Sequence, residues 1–153
     1  MNPDLLQARL DIAAAHRLGA RFQFNEGFNG GHFTLMAPGY TDRILTIANG
    51  VHWEEVRPDT IILIDLDGNT IEGQGKVERS AFHIHSSLHA RRPELRCILH
   101  PHMPYSTSHI MLKDNRLKPY GQQALRFHSK CAYYDQYLSL IHISEPTRPR
   151  LIS

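Results

Sequence analysis

The stretch FHIHSSLHARRPELRCILHPHMPY, residues 82–105, combines a helix pattern, an apolar strand and a His-Pro-His sequence. The spacing predicts a helix over 80–92, capped by Ser80 and ended by a proline, and then a buried strand over 95–99. Side chains at i and i+2 share a face in extended chain. His100 and His102 are therefore expected to turn toward each other where the buried strand ends.

Two neutral imidazole nitrogens at one strand end suit Zn²⁺, with Mn²⁺ or Fe²⁺ as alternatives. A catalytic zinc site usually has three protein ligands, and His100 and His102 supply two of them. The alternative is a pair of partly exposed histidines that bind no metal. The pattern thus predicts an incomplete metal site.

His85 and His89 form a competing pair, because residues four apart share a helix face. No HExxH pattern accompanies them. We therefore expect His85 to pack between Ile84 and Leu88, and His89 to face water.

The segments outside residues 82–105 alternate between helix and strand patterns. A first helix is expected to begin with Asn2 as its N-cap and Pro3 at its first position, and to end near Gly19. Its apolar residues at helical spacing are Leu5, Leu6, Leu10, Ala13, Ala14 and Leu18. We further expect strands over 32–36 and 43–47, a helical turn over 51–56, and a third helix over 104–112. A central strand is expected over 60–66, followed by a turn at Asp67-Gly68 and a return strand over 69–72.

This order of elements favours an α/β or α+β fold with helices on a mixed sheet. At 153 residues the chain is one domain at most. Its formal charge of +2 and scattered basic residues do not indicate a nucleic-acid partner. No apolar run is long enough to span a membrane, and no signal peptide is recognisable, so a cytoplasmic location is expected. Cys97 lies in an apolar run and is expected to be a buried, reduced thiol.

A glycine-rich loop over 25–31 precedes the strand at 32–36. Its backbone N–H groups could approach an anion, although it has neither the lysine of a P-loop nor the following helix of a dinucleotide fingerprint. A flexible turn is the alternative. Glu72 and Glu78 are the nearby acids that could act as a base or a third ligand, although a lone glutamate is usually solvated.

Taken together, these stretches resemble the class II aldolase/adducin family. The resemblance covers roughly residues 5–137, and its most specific part is the helix ending in Arg-Pro-Glu, the apolar strand and the His-x-His pair. It implies a three-layer α-β-α fold with a central mixed, largely antiparallel sheet that is incomplete at the C-terminus. It also implies a divalent metal, most simply Zn²⁺, on His100 and His102.

The resemblance implies an anion site as well, for a substrate phosphate or carboxylate. Its residues would be Gly31, His32, Thr34, Asn49, Gly50 and Ser80. The implied activity is that of a zinc-dependent lyase, or a related epimerase or decarboxylase, acting on a small sugar-phosphate or hydroxyacid-like substrate, in a homo-oligomer such as a tetramer. The alternative within the family is an adducin-like scaffold without catalysis.

Three departures from the family pattern stand out. The aldolases carry a catalytic Glu where this chain has Ala81, and Glu78 is not equivalent to it. The glycine loop is one residue longer than usual, and the last metal-binding His of the family has no counterpart here. Residues 138–148, LSLIHISEPTR, resemble a translated sequencing adapter, so we interpret 1–137 as a truncated domain and 138–153 as a non-native tail.

Overall fold

A computed structural model of the chain describes residues 2–26 and 30–133. The chain divides into two compact units, residues 1–104 and residues 105–153. Three residues of the glycine loop, 27–29, lie outside the described residues, as does the interpreted tail, 138–153.

The first unit is built on a five-stranded sheet with the strand order β4-β3-β2-β1-β5. Every strand pairing in the described part of the chain is antiparallel, so the parallel component expected of a mixed sheet is not seen there. The strands are β1 (Gly31–Met36), β2 (Arg43–Ile47), β3 (Ile61–Asp65), β4 (Thr70–Glu72) and β5 (Cys97–Pro101).

Two helices, α1 (Pro3–Arg21) and α2 (Arg79–Arg91), accompany two separate cores. Side chains alternate along a strand, so neighbouring residues of β2 and β3 enter different cores. Leu45 and Leu63 pack in one cluster with α1 residues such as Ile12. Ile44 and Ile64 pack in the other, against which Phe82 of α2 lies. The predicted three-layer α/β class is confirmed.

Helix α1 begins as predicted, since the Asn2 side chain accepts a 3.0 Å hydrogen bond from the Asp4 N–H. It continues past the predicted end at Gly19 to Arg21. Gly19 instead lies against Trp53, where an added Cβ would come within 2.6 Å of the ring. The buried face also differs from the expected one, because three of the six apolar residues, Leu6, Leu10 and Leu18, are exposed.

The expected central strand is fully buried as β3, with Ile61 to Ile64 at most 1% exposed. Strands β3 and β4 form the predicted hairpin. The Asp65 carboxylate accepts hydrogen bonds from the N–H groups of Asp67 and Asn69, and Gly68 takes a φ of +87°. Short 3-10 helices, Trp53–Glu55 and Pro58–Thr60, connect β2 to β3 and place Trp53 in the core.

The expectation that the strand before His100 is buried is wrong. In the described part of the chain β5 pairs with β1 alone and forms an edge of the sheet. Leu99 is 57% exposed, and Cys97 is an exposed free thiol rather than a buried one. An apolar run therefore did not indicate an interior strand here.

The second unit contains most of α3 (Pro104–Ile110), which is shorter than the predicted helix, and the short α4 (Gln122–Leu125). Within it the Arg116 guanidinium lies 4.4 Å from the Tyr133 ring centre. Among the described residues, no helix combines the length and apolar content needed to cross a membrane.

Candidate metal and anion site

Four of the residues implied to contact an anion line a single cleft at the end of β1 and β2. They are Gly31, His32, Asn49 and Gly50, and Glu78 lines the same cleft. Thr34 lies instead along a neighbouring cavity with Ala81 and His85. Ser80 is not among the residues that line either cavity. The fold therefore brings together most, but not all, of the implied anion contacts.

Gly31 allows β1 to lie directly against the His-x-His segment. It pairs with Pro101 in the β1–β5 ladder, and its φ is +97°. A Cβ at this position would lie 2.3 Å from the carbonyl oxygen of His100. A side chain here would therefore displace the strand that carries His100.

Four imidazoles gather where β1, β5 and α2 meet, and we call them the histidine cluster: His32, His85, His100 and His102. The ring centres of His32, His85 and His100 are 6.3 to 6.4 Å apart in every pairing. The rings of His100 and His102 are 5.1 Å apart. Residues 70 positions apart in sequence thus share one site.

The Thr34 hydroxyl connects the cluster to the interior of the fold. Its oxygen lies 2.7 Å from His85 Nδ1 and 2.9 Å from His89 Nε2. His89 Nδ1 in turn lies 3.0 Å from the Leu95 carbonyl oxygen. We call these four groups the Thr34 relay: Leu95 carbonyl, His89, Thr34 and His85.

Of the two sequence expectations for the α2 histidines, that for His89 is wrong, whereas the burial of His85 is confirmed. His89 is 1% exposed and does not face water, because it bonds to Thr34 and Leu95. His85 is buried as expected, but its ring contacts polar groups rather than simply filling space beside Ile84. The helical spacing correctly placed His85 and His89 on one face of α2. That this face is the buried one follows only from the packing of α2 against the sheet.

Burial favours the neutral form of three histidines of the cluster, His32, His85 and His100. The pKa of His32 is lowered to about 4, first by burial and also by neighbouring imidazoles against an opposing effect of Glu78, and the pKa of His85 is lowered to about 3 by burial and neighbouring imidazoles. Burial and then His102 also lower the pKa of His100. Neutral imidazoles are the form that binds metal ions.

Three nitrogens of the cluster are buried and have no hydrogen-bond partner among the described residues: His32 Nδ1, His85 Nε2 and His100 Nδ1. Buried polar atoms normally have a partner, so these three indicate a missing group. Across residues 2–26 and 30–133, no three His, Cys, Asp or Glu side chains are already grouped closely enough to hold a metal ion. The donor chemistry fits a divalent transition metal, although the rings stand slightly too far apart.

Glu78 serves as the N-cap of α2. Its carboxylate accepts from the Ala81 N–H at 2.8 Å and from the Ser80 hydroxyl. Burial alone would raise the pKa of this carboxyl, but these hydrogen bonds outweigh burial and lower it. The predicted cap, Ser80, is therefore wrong, since its hydroxyl donates to the residue that caps the helix.

Glu72 lies apart from the cluster on β4, the opposite edge of the sheet from β5. Its carboxylate forms a 3.0 Å ion pair with Arg9, whose side chain is 9% exposed. Glu72 is thus not a third ligand beside His100.

The sequence profile described as "Class II Aldolase and Adducin N-terminal domain" matches residues 10–148. Decarboxylase NovR of Streptomyces niveus is 28% identical over 130 residues, which cover 84% of this chain and 48% of that protein. Human beta-adducin is 31% identical over 107 residues, which cover 68% of this chain and 14% of that protein.

Among solved structures, L-fuculose 1-phosphate aldolase from Glaciozyma antarctica superposes with a TM-score of 0.75 at 25% identity. The match covers 82% of this chain and 51% of that one. The chain spans about half the length of the first curated relatives it matches, from 47% to 55%. The profile match over most of the sequence shows that the chain belongs to the family of class II aldolase and adducin N-terminal domains.

Proposed function

We propose that the protein is a metal-dependent lyase of the aldolase type, or a related epimerase or decarboxylase, acting on a small sugar-phosphate or hydroxyacid-like substrate. The observation that carries this proposal is a set of imidazoles with three buried nitrogens that have no hydrogen-bond partner among the described residues, beside a cleft that Gly31, His32, Asn49 and Gly50 line. His32 belongs to both features, so a substrate in the cleft would lie next to the ion. A similar fold in L-fuculose 1-phosphate aldolase and the likeness to decarboxylase NovR support this reaction class.

His100 and His102 would hold the ion, Zn²⁺ or another divalent metal. Bound there, it would supply Lewis acidity toward a carbonyl or hydroxyl oxygen. Because His100 is kept neutral by burial, it needs to lose no proton to bind the ion at neutral pH. His102 is half-buried beside Glu26, whose carboxylate lies 3.5 Å from its Nδ1.

The substrate's phosphate or carboxylate would be bound by Gly31, His32, Asn49 and Gly50, which line the cleft. Turn backbone suits this role because successive N–H groups can converge on an anion and direct their partial positive charge toward it. Ser80 and Thr34 would contribute from behind the cleft through the residues they bond to, Glu78 and His85. Glu78 itself remains a candidate base, although its carboxylate is occupied as a cap.

We propose this activity for the whole protein, because the chain spans about half the length of these relatives. A homo-oligomer, such as a tetramer, is proposed for the parent protein. For the 153-residue chain alone we expect weak metal binding and little turnover, because two ligands fill only half of a tetrahedral site.

The first experiment measures bound metal. The purified chain is titrated with ZnCl₂ by calorimetry, and its metal content is measured after dialysis. We expect weak binding that saturates at about one ion per chain in the titration, with most of the ion lost on dialysis, and we expect the double variant His100→Ala/His102→Ala to show no such binding. The matched control His83→Ala/His128→Ala removes two histidines outside the cluster and should bind as the unchanged chain does. Zinc uptake that the first double variant retains would contradict the proposal.

A second candidate is an adducin-like scaffold, favoured by Ala81, which stands where the aldolases carry a catalytic acid. Ala81 is 3% exposed and carries no group that can transfer a proton. Likeness to human beta-adducin is in keeping with this role. A chain that binds no zinc but sediments as a stable oligomer would favour the scaffold over the enzyme.

A further inference from the structure

We propose that Glu78 determines the substrate class: its carboxylate occupies the place of a substrate phosphate, so the cleft takes a hydroxyacid that carries no phosphate. The inference rests on the proposed function and decides between the two substrate classes named there. The carboxylate of the hydroxyacid would meet the turn at Asn49 and Gly50, and its neighbouring hydroxyl would donate to Glu78. Glu78 is therefore a specificity-determining residue for the proposed reaction.

The N-terminus of α2 is already occupied by an anion from the chain itself. The first N–H groups of a helix have no partner within the helix, which makes this end a ready place for a phosphate. Here Glu78 Oε2 accepts from the Ala81 N–H at 2.8 Å and from the Ser80 hydroxyl. Ser80 is one of the residues that the family resemblance assigns to an anion. A phosphate could use these donors only by displacing the Glu78 carboxylate.

The charge of the cleft also opposes a phosphate. Among the described residues that line it there is an acid, Glu78, but no lysine or arginine. His32 does not compensate for this charge, because burial is the main cause that lowers its pKa to about 4. Lys76 and Arg79 are close in sequence, but they are exposed and are not among the lining residues. A phosphate monoester carries a charge of about −1.5 to −2 near pH 7 and would be repelled by Glu78.

The hydrogen bonds at the helix end keep Glu78 ionised. Burial raises the pKa of this carboxyl, but hydrogen bonds from Ser80 and Ala81, together with the nearby His32, lower it below its ordinary value. A general base works best when its pKa is near the working pH. Near neutral pH, Glu78 thus contributes a fixed negative charge rather than a proton acceptor of suitable strength.

Glu78 retains an oxygen that can accept a hydrogen bond from a substrate. Both hydrogen bonds from Ser80 and Ala81 end on Oε2, and an ionised carboxylate has about four acceptor positions. Oε1 can therefore accept from an alcohol, which a fully ionised phosphate cannot offer because it carries no hydrogen. A carboxylate with an adjacent hydroxyl has less charge than a phosphate and supplies this donor.

The first test measures phosphate binding without metal. The ¹⁵N-labelled full chain is titrated with inorganic phosphate at pH 7.5 and constant ionic strength, and the amide resonances of Gly31, Asn49 and Gly50 are followed. The unchanged chain should bind phosphate at least about tenfold more weakly than Glu78→Asn, because the variant lacks one negative charge. Equal binding by the two chains, or no binding by either, would overturn the inference.

The matched control is Glu78→Asp. Asp and Asn are both good N-cap residues and differ in charge but hardly in size, so a merely structural role of Glu78 would make the two variants alike. Glu78→Asp should exclude phosphate as the unchanged chain does. Circular dichroism checks that each variant folds, and Glu78→Gln replaces Glu78→Asn if that variant does not.

The second test concerns the hydroxyl group. Glycolate and acetate differ by one hydroxyl, and both are titrated into the metal-free chain with the same amide resonances as the readout. Glycolate should bind about tenfold more tightly, as expected for a hydrogen bond to a charged group. Equal affinities, or no saturable shift with glycolate, would show that the contact between the hydroxyl and Glu78 is wrong.

The inference and the proposed function fail differently, because these titrations contain no metal. If the chain binds no zinc but only Glu78→Asn takes phosphate, the enzyme proposal fails while the exclusion of phosphate by Glu78 stands. If zinc binds at His100 and His102 but the unchanged chain takes phosphate as Glu78→Asn does, the metal site stands and the role given to Glu78 is wrong.

Discussion

His16 and His85 are both buried histidines, and their hydrogen bonds give them different roles. His16 lies between Phe33 and Trp53, and its Nδ1 donates to the Ile12 carbonyl oxygen at 2.8 Å. Its Nε2 accepts a long hydrogen bond from the Phe33 N–H. His16 is thus a satisfied core residue, whereas His85 Nε2 has no hydrogen-bond partner among the described residues.

His16 makes stability depend on pH. Burial lowers its pKa to about 4 from an ordinary value near 6.5, so the fold needs its neutral form. Its contribution is complete above about pH 6.5 and is lost as the pH falls toward 4, with a slope of up to about 1.4 kcal/mol per pH unit. Urea unfolding at pH 7.5, 6.5 and 5.5 measures this slope.

The variant His16→Phe keeps an aromatic ring but cannot be protonated. It should reduce the pH slope of the unfolding free energy by about one proton, while other buried histidines such as His85 keep the remainder. The control His128→Phe changes an exposed histidine and should leave the slope as it is. An unaltered slope in His16→Phe would show that this residue is not the source.

At the scale of elements, the site depends on how closely β1 and β5 approach. Five residue pairs form their ladder, from Gly31 opposite Pro101 to Leu35 opposite Cys97. His32 and His100 lie directly opposite each other in it. Since α2 adds His85 from one face of the sheet, one ladder and one helix position the cluster.

Gly31→Ala should disturb this ladder. Both Gly31 and Gly39 have a positive φ, but only Gly31 has an atom in the way, the His100 carbonyl oxygen. Gly39→Ala should therefore cost about 1 kcal/mol for backbone strain. Gly31→Ala should cost a further 1 to 3 kcal/mol, roughly, for the clash.

Chemical denaturation gives both costs, and hydrogen exchange at the β5 amides locates the damage. Faster exchange in Gly31→Ala, but not in Gly39→Ala, is the expected pattern. Equal losses of stability in the two variants would mean that the approach to His100 is unimportant.

At the scale of the whole molecule, metal binding should stabilise the first unit. The proposed ligands His100 and His102 lie at the end of β5, which is held in place by its pairing with β1, so we expect the site to form only when these strands are assembled. An ion that binds the folded state but not the unfolded state raises the free energy of unfolding by about 2.7 kcal/mol when its concentration is 100 times its dissociation constant.

Thermal unfolding with ZnCl₂, and then with excess chelator, tests this linkage. The melting temperature should rise with zinc and return with chelator. The double variant His100→Ala/His102→Ala should show no rise. A rise of equal size in that variant would place the zinc effect elsewhere in the chain.

Sequence patterns predicted the elements whose signals are local. The cap at Asn2, the buried β3 and the turn at Asp67-Gly68 follow from residue type and short spacing. The three-layer class followed from the order of elements and from the family resemblance, which the profile match confirms. The roles assigned to His100 and His102 remain predictions.

Local signals could not decide which side of an element is covered. The same apolar spacing is found in interior strands and in the exposed edge strand β5. Likewise, the spacing of an i, i+4 pair places two residues on one helix face but does not show whether a sheet covers that face. The burial of His89 and the meeting of His32, His85 and His100 were therefore decided by tertiary structure. The physical reason is that burial and hydrogen bonding depend on contacts between residues far apart in sequence, here 51 positions between Thr34 and His85.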